Sequence, residues 1–223
     1  MKNLYKFRFE LFFFSLSFIL FGAVFFPIDW FEDTLIPILF LINITSGILL
    51  ISRNKKIVLV LCFLLVVVLF LFIRKLLIKT EDSSSQYLRF FTYFMFYSIV
   101  TFELIKQVWK ATFVSKNVII GVMCGYISLG LIFFFIFLTI EMYLPNSFNG
   151  LDSNVNSEKV SQLQYYTYIT LLTIGYGEIT PNNIVAQKAA ILTGLAGQFY
   201  LVILTAIIVG KYINQDLKKI NNP

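Results

Sequence analysis

The stretch "IVLVLCFLLVVVLFLFI", residues 57–73, contains no charged side chain, no proline and no glycine. A run of this length and apolarity reads as a helix that crosses a bilayer, because in lipid a backbone must satisfy its own polar groups. Five further apolar runs, near 10–27, 35–51, 88–105, 118–143 and 184–210, lie between breaks rich in charge, Pro, Asn or Ser. The first follows Lys2, Lys6 and Arg8 but leads into "FFPIDWFED" with no small-residue cleavage site, so it is expected to be a retained helix. At 58% hydrophobic over 223 residues, the chain exceeds what a soluble domain carries. The expected fold class is an all-α membrane protein with six transmembrane helices.

Several chemistries are excluded by the side chains present. There is no histidine, and the only cysteines, Cys62 and Cys124, sit inside apolar runs, so neither a zinc site, a haem site nor a disulfide has its parts. The net charge of +6 is spread too thinly for a nucleic-acid face, and no nucleic-acid partner is expected. Orientation explains the charge better. With both termini cytoplasmic, twelve of the eighteen basic side chains and three of the twelve acids fall inside, the positive-inside pattern of a cell-membrane protein. Arg74, Lys75 and Lys79 run against that pattern, partly offset by Glu81 and Asp82.

A segment near 158–172, too short and too polar to cross by these criteria, lies between the fifth and sixth spans. Ser157 is expected as its N-cap and Glu158 falls in its first turn, so a re-entrant helix is predicted whose C-terminal partial negative charge points into the membrane. There it meets "TLLTIGYGEITP", residues 170–181. Irregular backbone at membrane depth persists only where protein buries it or where it lines a water-filled cavity. Gly175 and Gly177 can adopt backbone angles closed to other residues, which allows the carbonyls from Thr173 to Tyr176 to turn to one side. Such a row replaces the water of a dehydrated cation.

"TIGYGEITP", with an aromatic-rich helix before it and an apolar helix after it, resembles the signature of the potassium channel family over about residues 118–212. The resemblance implies a filter formed by Thr173, Ile174, Gly175, Tyr176 and Gly177, with potassium held at Thr173, Ile174, Gly175 and Tyr176 and the Thr173 hydroxyl completing the innermost site. It implies Glu178 at the outer mouth, Leu201 and Thr205 lining a cavity below the filter, and an inner-helix hinge at Gly197. Gly194 competes for that role, and close helix packing competes with the hinge itself. Gly125 and Gly130, like Gly194, are expected to pack. The sequence departs from the family pattern at Glu178, where Asp is usual, at Tyr165 and Tyr166, where Trp is common, and at Leu172, where Thr is frequent.

One filter per chain cannot encircle an ion, and the family's answer is a homotetramer around a central pore, conducting passively without catalysis or cofactor. The division expected is residues 1–115, a four-helix transmembrane domain, and 116–223, the pore domain. At the boundary, "KQVWKATFVSKN" (106–117) reads equally as an interfacial stretch or a loop. Residues 211–223 are too few for a ligand-binding domain. A non-selective cation channel is the nearest alternative. A secondary transporter is disfavoured by the lack of internal repeats and of charge within 57–73 and 90–102. The fourth span has Arg89 at its outer edge and no further charge before Glu103, so strong voltage gating is not expected. Asn43 heads an N-I-T sequon inside a span and is set aside as a glycosylation site.

Overall fold

The computed structural model describes residues 6–27, 30–52, 54–78, 83–151 and 156–221. Asp29, Glu81, Asp82 and Asp152 of the outer acids lie outside them, as do Lys2, Arg53 and Lys79. Among the described residues, seven α-helices follow one another: α1 Arg8–Phe21, α2 Ile36–Leu50, α3 Lys55–Ile78, α4 Ser83–Lys110, α5 Lys116–Tyr143, α6 Asn156–Leu171 and α7 Ile184–Asn221. Two short strands, β1 Phe148–Asn149 and β2 Thr180–Pro181, pair antiparallel on either side of α6. The fold is thus all-helical apart from this clasp.

Four helices, α3, α4, α5 and α7, are long and apolar enough to cross a membrane. The first two apolar runs give shorter helices, of 14 and 15 residues, because each is interrupted near the same connection. After Phe21 the chain tightens into a 3-10 turn, Gly22–Val24. Before Ile36 it widens into a π turn, Phe31–Leu35, in which the Ile36 N–H bonds back to the Phe31 carbonyl. Pro37 has no N–H to continue the ladder and sits in the first turn of α2, where that loss is tolerated.

α4 and α5 share the broadest helix–helix interface. α4 runs through Lys110, so residues 106–110 are neither a separate surface stretch nor a loop but its last turn. Five residues, Ala111–Ser115, then separate the two helices. One apolar core crosses that break: Phe12, Phe96 and Tyr97 from the first half pack in the same cluster as Phe135, Tyr166 and Ala186 from the second. The end of α4 is tied to α7 as well. Lys211 of α7 donates to the carbonyls of Val108 (2.8 Å) and Trp109 (2.7 Å), placing a cation on the orphan carbonyls at the C-terminus of α4. Beside it, the Val114 N–H donates to Gln215 Oε1 at 3.0 Å.

Within α1, α2 and α4 the interior holds a closed polar knot. Tyr97 donates its hydroxyl proton to Asn43 Oδ1 (2.9 Å), Asn43 Nδ2 donates to Ser15 Oγ (2.8 Å), and Ser15 donates to the Phe12 carbonyl (2.9 Å). All three side chains are buried. Asn43, set aside as a sequon, is the centre of this network, and its amide satisfies polar atoms on two other helices where lipid and apolar side chains offer nothing.

Candidate functional site

α6 begins at Asn156, one residue before the expected Ser157 cap, so Ser157 lies inside the first turn. Its other end decides the geometry beyond it. The Thr173 N–H bonds to the Thr170 carbonyl (3.0 Å) and the Ile174 N–H bonds to the Ile169 carbonyl (2.8 Å), while Thr173 takes φ +59°. This is the Schellman closure, with its left-handed residue at Thr173 where glycine is the usual occupant. A β-branched residue is costly in that region, so the surrounding contacts must hold it there.

Positive φ then recurs at alternate residues: Gly175 at +57° and Gly177 at +97°, with Ile174 and Tyr176 between them outside the positive range. In ordinary extended chain successive carbonyls point to opposite sides. Alternating the sign of φ reverses every second peptide and turns them to the same side, as it gathers N–H groups on the other. The sequence anticipates this for the two glycines but not for Thr173. A Cβ built on Gly175 or Gly177 meets nothing within 4 Å in the subunit. Backbone conformation, and not space within the subunit, calls for glycine at these positions.

The whole stretch from Leu172 to Glu178 is exposed in the single subunit, Ile174 at 48% and Tyr176 at 73%, and the residues at both ends of it are buried. Leu171 and Ile179 anchor those ends. At the α6 end of the stretch, the Leu171 carbonyl accepts from the Tyr126 hydroxyl of α5 at 3.2 Å. Tyr168 of α6 and Tyr200 of α7 each donate to an α5 carbonyl, Ile127 and Val122, both at 2.8 Å. Gly130 and Gly125 of α5 leave the room those two tyrosines occupy, which is the packing role expected of them. Three tyrosine hydroxyls thus fasten α6 and α7 to α5 by backbone carbonyls. In the sequence each reads only as aromatic filling.

At the other end the clasp between β1 and β2 fixes the chain that follows Glu178. Glu141, at the end of α5, accepts from the N–H groups of Asn146 (3.0 Å) and Ser147 (2.9 Å), and Ser147 accepts in turn from the Asn182 N–H (2.7 Å). Gly150, at φ +80°, passes so close to the Glu178 carbonyl that a Cβ would overlap it. Asn183 caps α7, its Oδ1 accepting from the Ala186 N–H at 2.9 Å. The turn residues of "PNSFNG" were the only sequence signal of this clasp.

The α7 residues divide differently from the expectation. A Cβ on Gly197 would lie 2.5 Å from the Leu171 carbonyl oxygen and 3.0 Å from its side chain, whereas Gly194 has nothing within 4 Å in the subunit. Within the subunit, Gly197 is thus the glycine of α7 that packs against the end of α6, and nothing in the same subunit stands opposite Gly194. Leu201 and Thr205 are exposed one turn apart, beside the face on which Tyr200 and Leu204 are buried. Gln198, which the sequence reading passed over, turns its Nε2 toward the Thr173 hydroxyl at a long 3.5 Å.

Comparison with known proteins decides what class of site this is: residues 122–214 match a family model described as an ion channel. That part of the chain is similar to an ion-channel domain. The match takes in part of α5, all of α6, the alternating stretch and most of α7, and it supports a cation-channel function in a multi-pass membrane protein. No curated protein and no solved structure matches the chain. Within the channel domain, the exposed alternating backbone is held at both ends by α5.

Proposed function

We propose that four copies of this chain surround a central pore and conduct potassium passively and selectively across the cell membrane. The observation that carries this reading is the alternation of φ from Thr173 to Gly177 directly beyond the closed end of α6. Four such backbones around one axis stack their carbonyl oxygens, with the Thr173 hydroxyls, into successive cages for a dehydrated cation. Thr173, Ile174, Gly175, Tyr176 and Gly177 form the filter, Glu178 lies at the outer mouth, and Leu201 and Thr205 line the cavity below. The exposed Ile174 and the apolar exposed face of α7, including Ile191 and Leu195, support assembly, since these surfaces need other copies or lipid to cover them.

In this reading six helices cross the bilayer, α6 re-enters from the outer side, and both termini are cytoplasmic. At about 1.5 Å per residue, α2 with its preceding π turn reaches about 30 Å, the thickness of the hydrocarbon core. Residues 1–115 form a region distinct from the pore in sequence but sharing its core. Purified protein in liposomes, recorded with potassium on one side and sodium on the other, tests the proposal. A reversal potential near the potassium equilibrium value is expected, and one near zero would replace it with a non-selective cation channel.

A further inference from the structure

Gln198 stands on α7 directly after Gly197, whose missing side chain lets the helix approach the end of α6: a Cβ there would lie 2.5 Å from the Leu171 carbonyl oxygen. That approach carries the Gln198 amide to the alternating stretch just beyond, with Nε2 3.5 Å from the Thr173 hydroxyl. Among the described residues of the subunit it is the one side chain that reaches this hydroxyl. At spacings of three and four residues, Gln198, Leu201 and Thr205 fall on one face of α7, and all three are exposed in the subunit. Gln198 is the end of that stripe nearest Thr173. Thr173 is also the residue of the stretch most in need of support, since it is β-branched and held at φ +59°.

We propose that Gln198 is a positioning residue for the innermost ion: its amide fixes the Thr173 hydroxyl so that a lone pair, and not the O–H hydrogen, faces the pore axis. The inference rests on the proposed filter, in which that hydroxyl completes the innermost site. A hydroxyl has one hydrogen and two lone pairs, and a cation can take only a lone pair. A hydrogen donated by Gln198 Nε2 occupies one lone pair and leaves the other for the ion. With the amide turned over, Oε1 accepts the hydroxyl hydrogen and both lone pairs remain. Either arrangement orients the oxygen and ties the strained residue to α7. The 3.5 Å separation is long for a hydrogen bond, but the terminal torsion of a Gln side chain lies in a broad well, so an exposed amide closes the gap at little cost. Without the amide the hydroxyl turns freely and presents its hydrogen to the ion part of the time, and in four copies that loss recurs around one site.

The test records full-length protein in liposomes over a range of symmetrical potassium concentrations. Gln198→Met keeps the length of the side chain and removes the amide, and the concentration at half-maximal conductance is expected to rise about fivefold, the factor that one net hydrogen bond carries. Gln198→Glu retains an acceptor at the same reach and adds negative charge below the filter, and it is expected to half-saturate at or below the parent's concentration. Thr173→Val removes the hydroxyl and keeps the shape. On that background Gln198→Met is expected to add nothing further, an outcome that a packing or solvation role at 198 does not produce. The parent, the two single variants and the double variant, melted in potassium and in sodium, give the same cycle from the cation-dependent rise in melting temperature and need no current. A non-selective parent that keeps this coupling removes the potassium reading and leaves Gln198 as the positioning residue, whereas a selective parent without the coupling removes this inference alone. An unshifted Gln198→Met, a shift of equal size on Thr173→Val, or a Gln198→Glu channel as weak as Gln198→Met would each overturn the proposal.

Discussion

The first four helices and the channel domain treat polar groups in opposite ways. Among α1, α2 and α4, Asn43, Ser15 and Tyr97 satisfy one another in a buried knot of neutral groups. In the channel domain the backbone from Leu172 to Glu178 is exposed in the subunit. All five positive-φ residues among the described residues fall between Asn146 and Gly177. The knot closes its hydrogen bonds within the first region and so can serve as a support. The second keeps acceptors open and concentrates its backbone strain where a ligand would need them. Rigidity in one part, supplied by apolar packing and tyrosine hydroxyls, holds an otherwise unfavourable conformation in the other.

Changes to the open backbone should have the largest effect. Gly175→Ala and Gly177→Ala each force an L-residue into left-handed backbone at about 1–2 kcal/mol per copy, and in the proposed tetramer the cost recurs around the ring. Loss of potassium preference in liposome recordings is expected from both, without loss of the folded subunit. A Gly177→Ala channel as selective as the parent would show that the stretch tolerates ordinary backbone.

Next comes the contact joining α7 to the end of α6. Gly197→Ala drives a methyl group against the Leu171 carbonyl, an overpacking that costs about 1–3 kcal/mol. It should lower both thermal stability and conduction, while Gly194→Ala should alter stability little. If Gly194→Ala instead changed open probability strongly and Gly197→Ala did not, the moving point of α7 would be Gly194.

The closed knot should respond in stability alone. Asn43→Leu leaves the Tyr97 and Ser15 hydroxyls without their shared partner, at about 1–2 kcal/mol. A lower melting temperature with an unchanged reversal potential is expected, and an altered reversal potential would mean that the two regions are not separable in function. Smallest of all should be the effect of Arg89→Gln on voltage dependence. Even a full crossing by this charge contributes about 2.3 kcal/mol per subunit per 100 mV, a fraction of what a sensor with three or four charges supplies. Conductance should rise shallowly with voltage in wild type and variant alike, and a steep curve flattened by Arg89→Gln would make α4 a sensor after all.

Much of the helical layout was legible because long apolar runs and their charged borders report directly on lipid. Helix α7, by contrast, runs well past the expected residue 210, because Lys211 and Gln215 find partners on α4 and on the chain beyond it that no local pattern announces. The glycines of the open stretch were readable, since glycine advertises positive φ. Thr173 was not, because threonine disfavours that region and only the closure at Ile169 and Thr170 imposes it. Tyr126, Tyr168 and Tyr200 were hidden for a different reason. An aromatic on an apolar helix looks the same whether its hydroxyl is bonded or not, and the small residues opposite, Gly125 and Gly130, were the one available hint. Asn43 carried a truer signal than its sequon, as a lone amide in the middle of an apolar helix.

The proposed selectivity for potassium rests on alternating backbone handedness held from both ends. Chirality at residue 175 tests it most directly, because a D-residue favours the positive φ that an L-residue resists. Semisynthetic protein bearing D-Ala at 175 should keep a reversal potential close to that of the glycine parent in opposed potassium and sodium, and the L-Ala protein should shift toward zero. An L-Ala channel as selective as the parent would contradict the account.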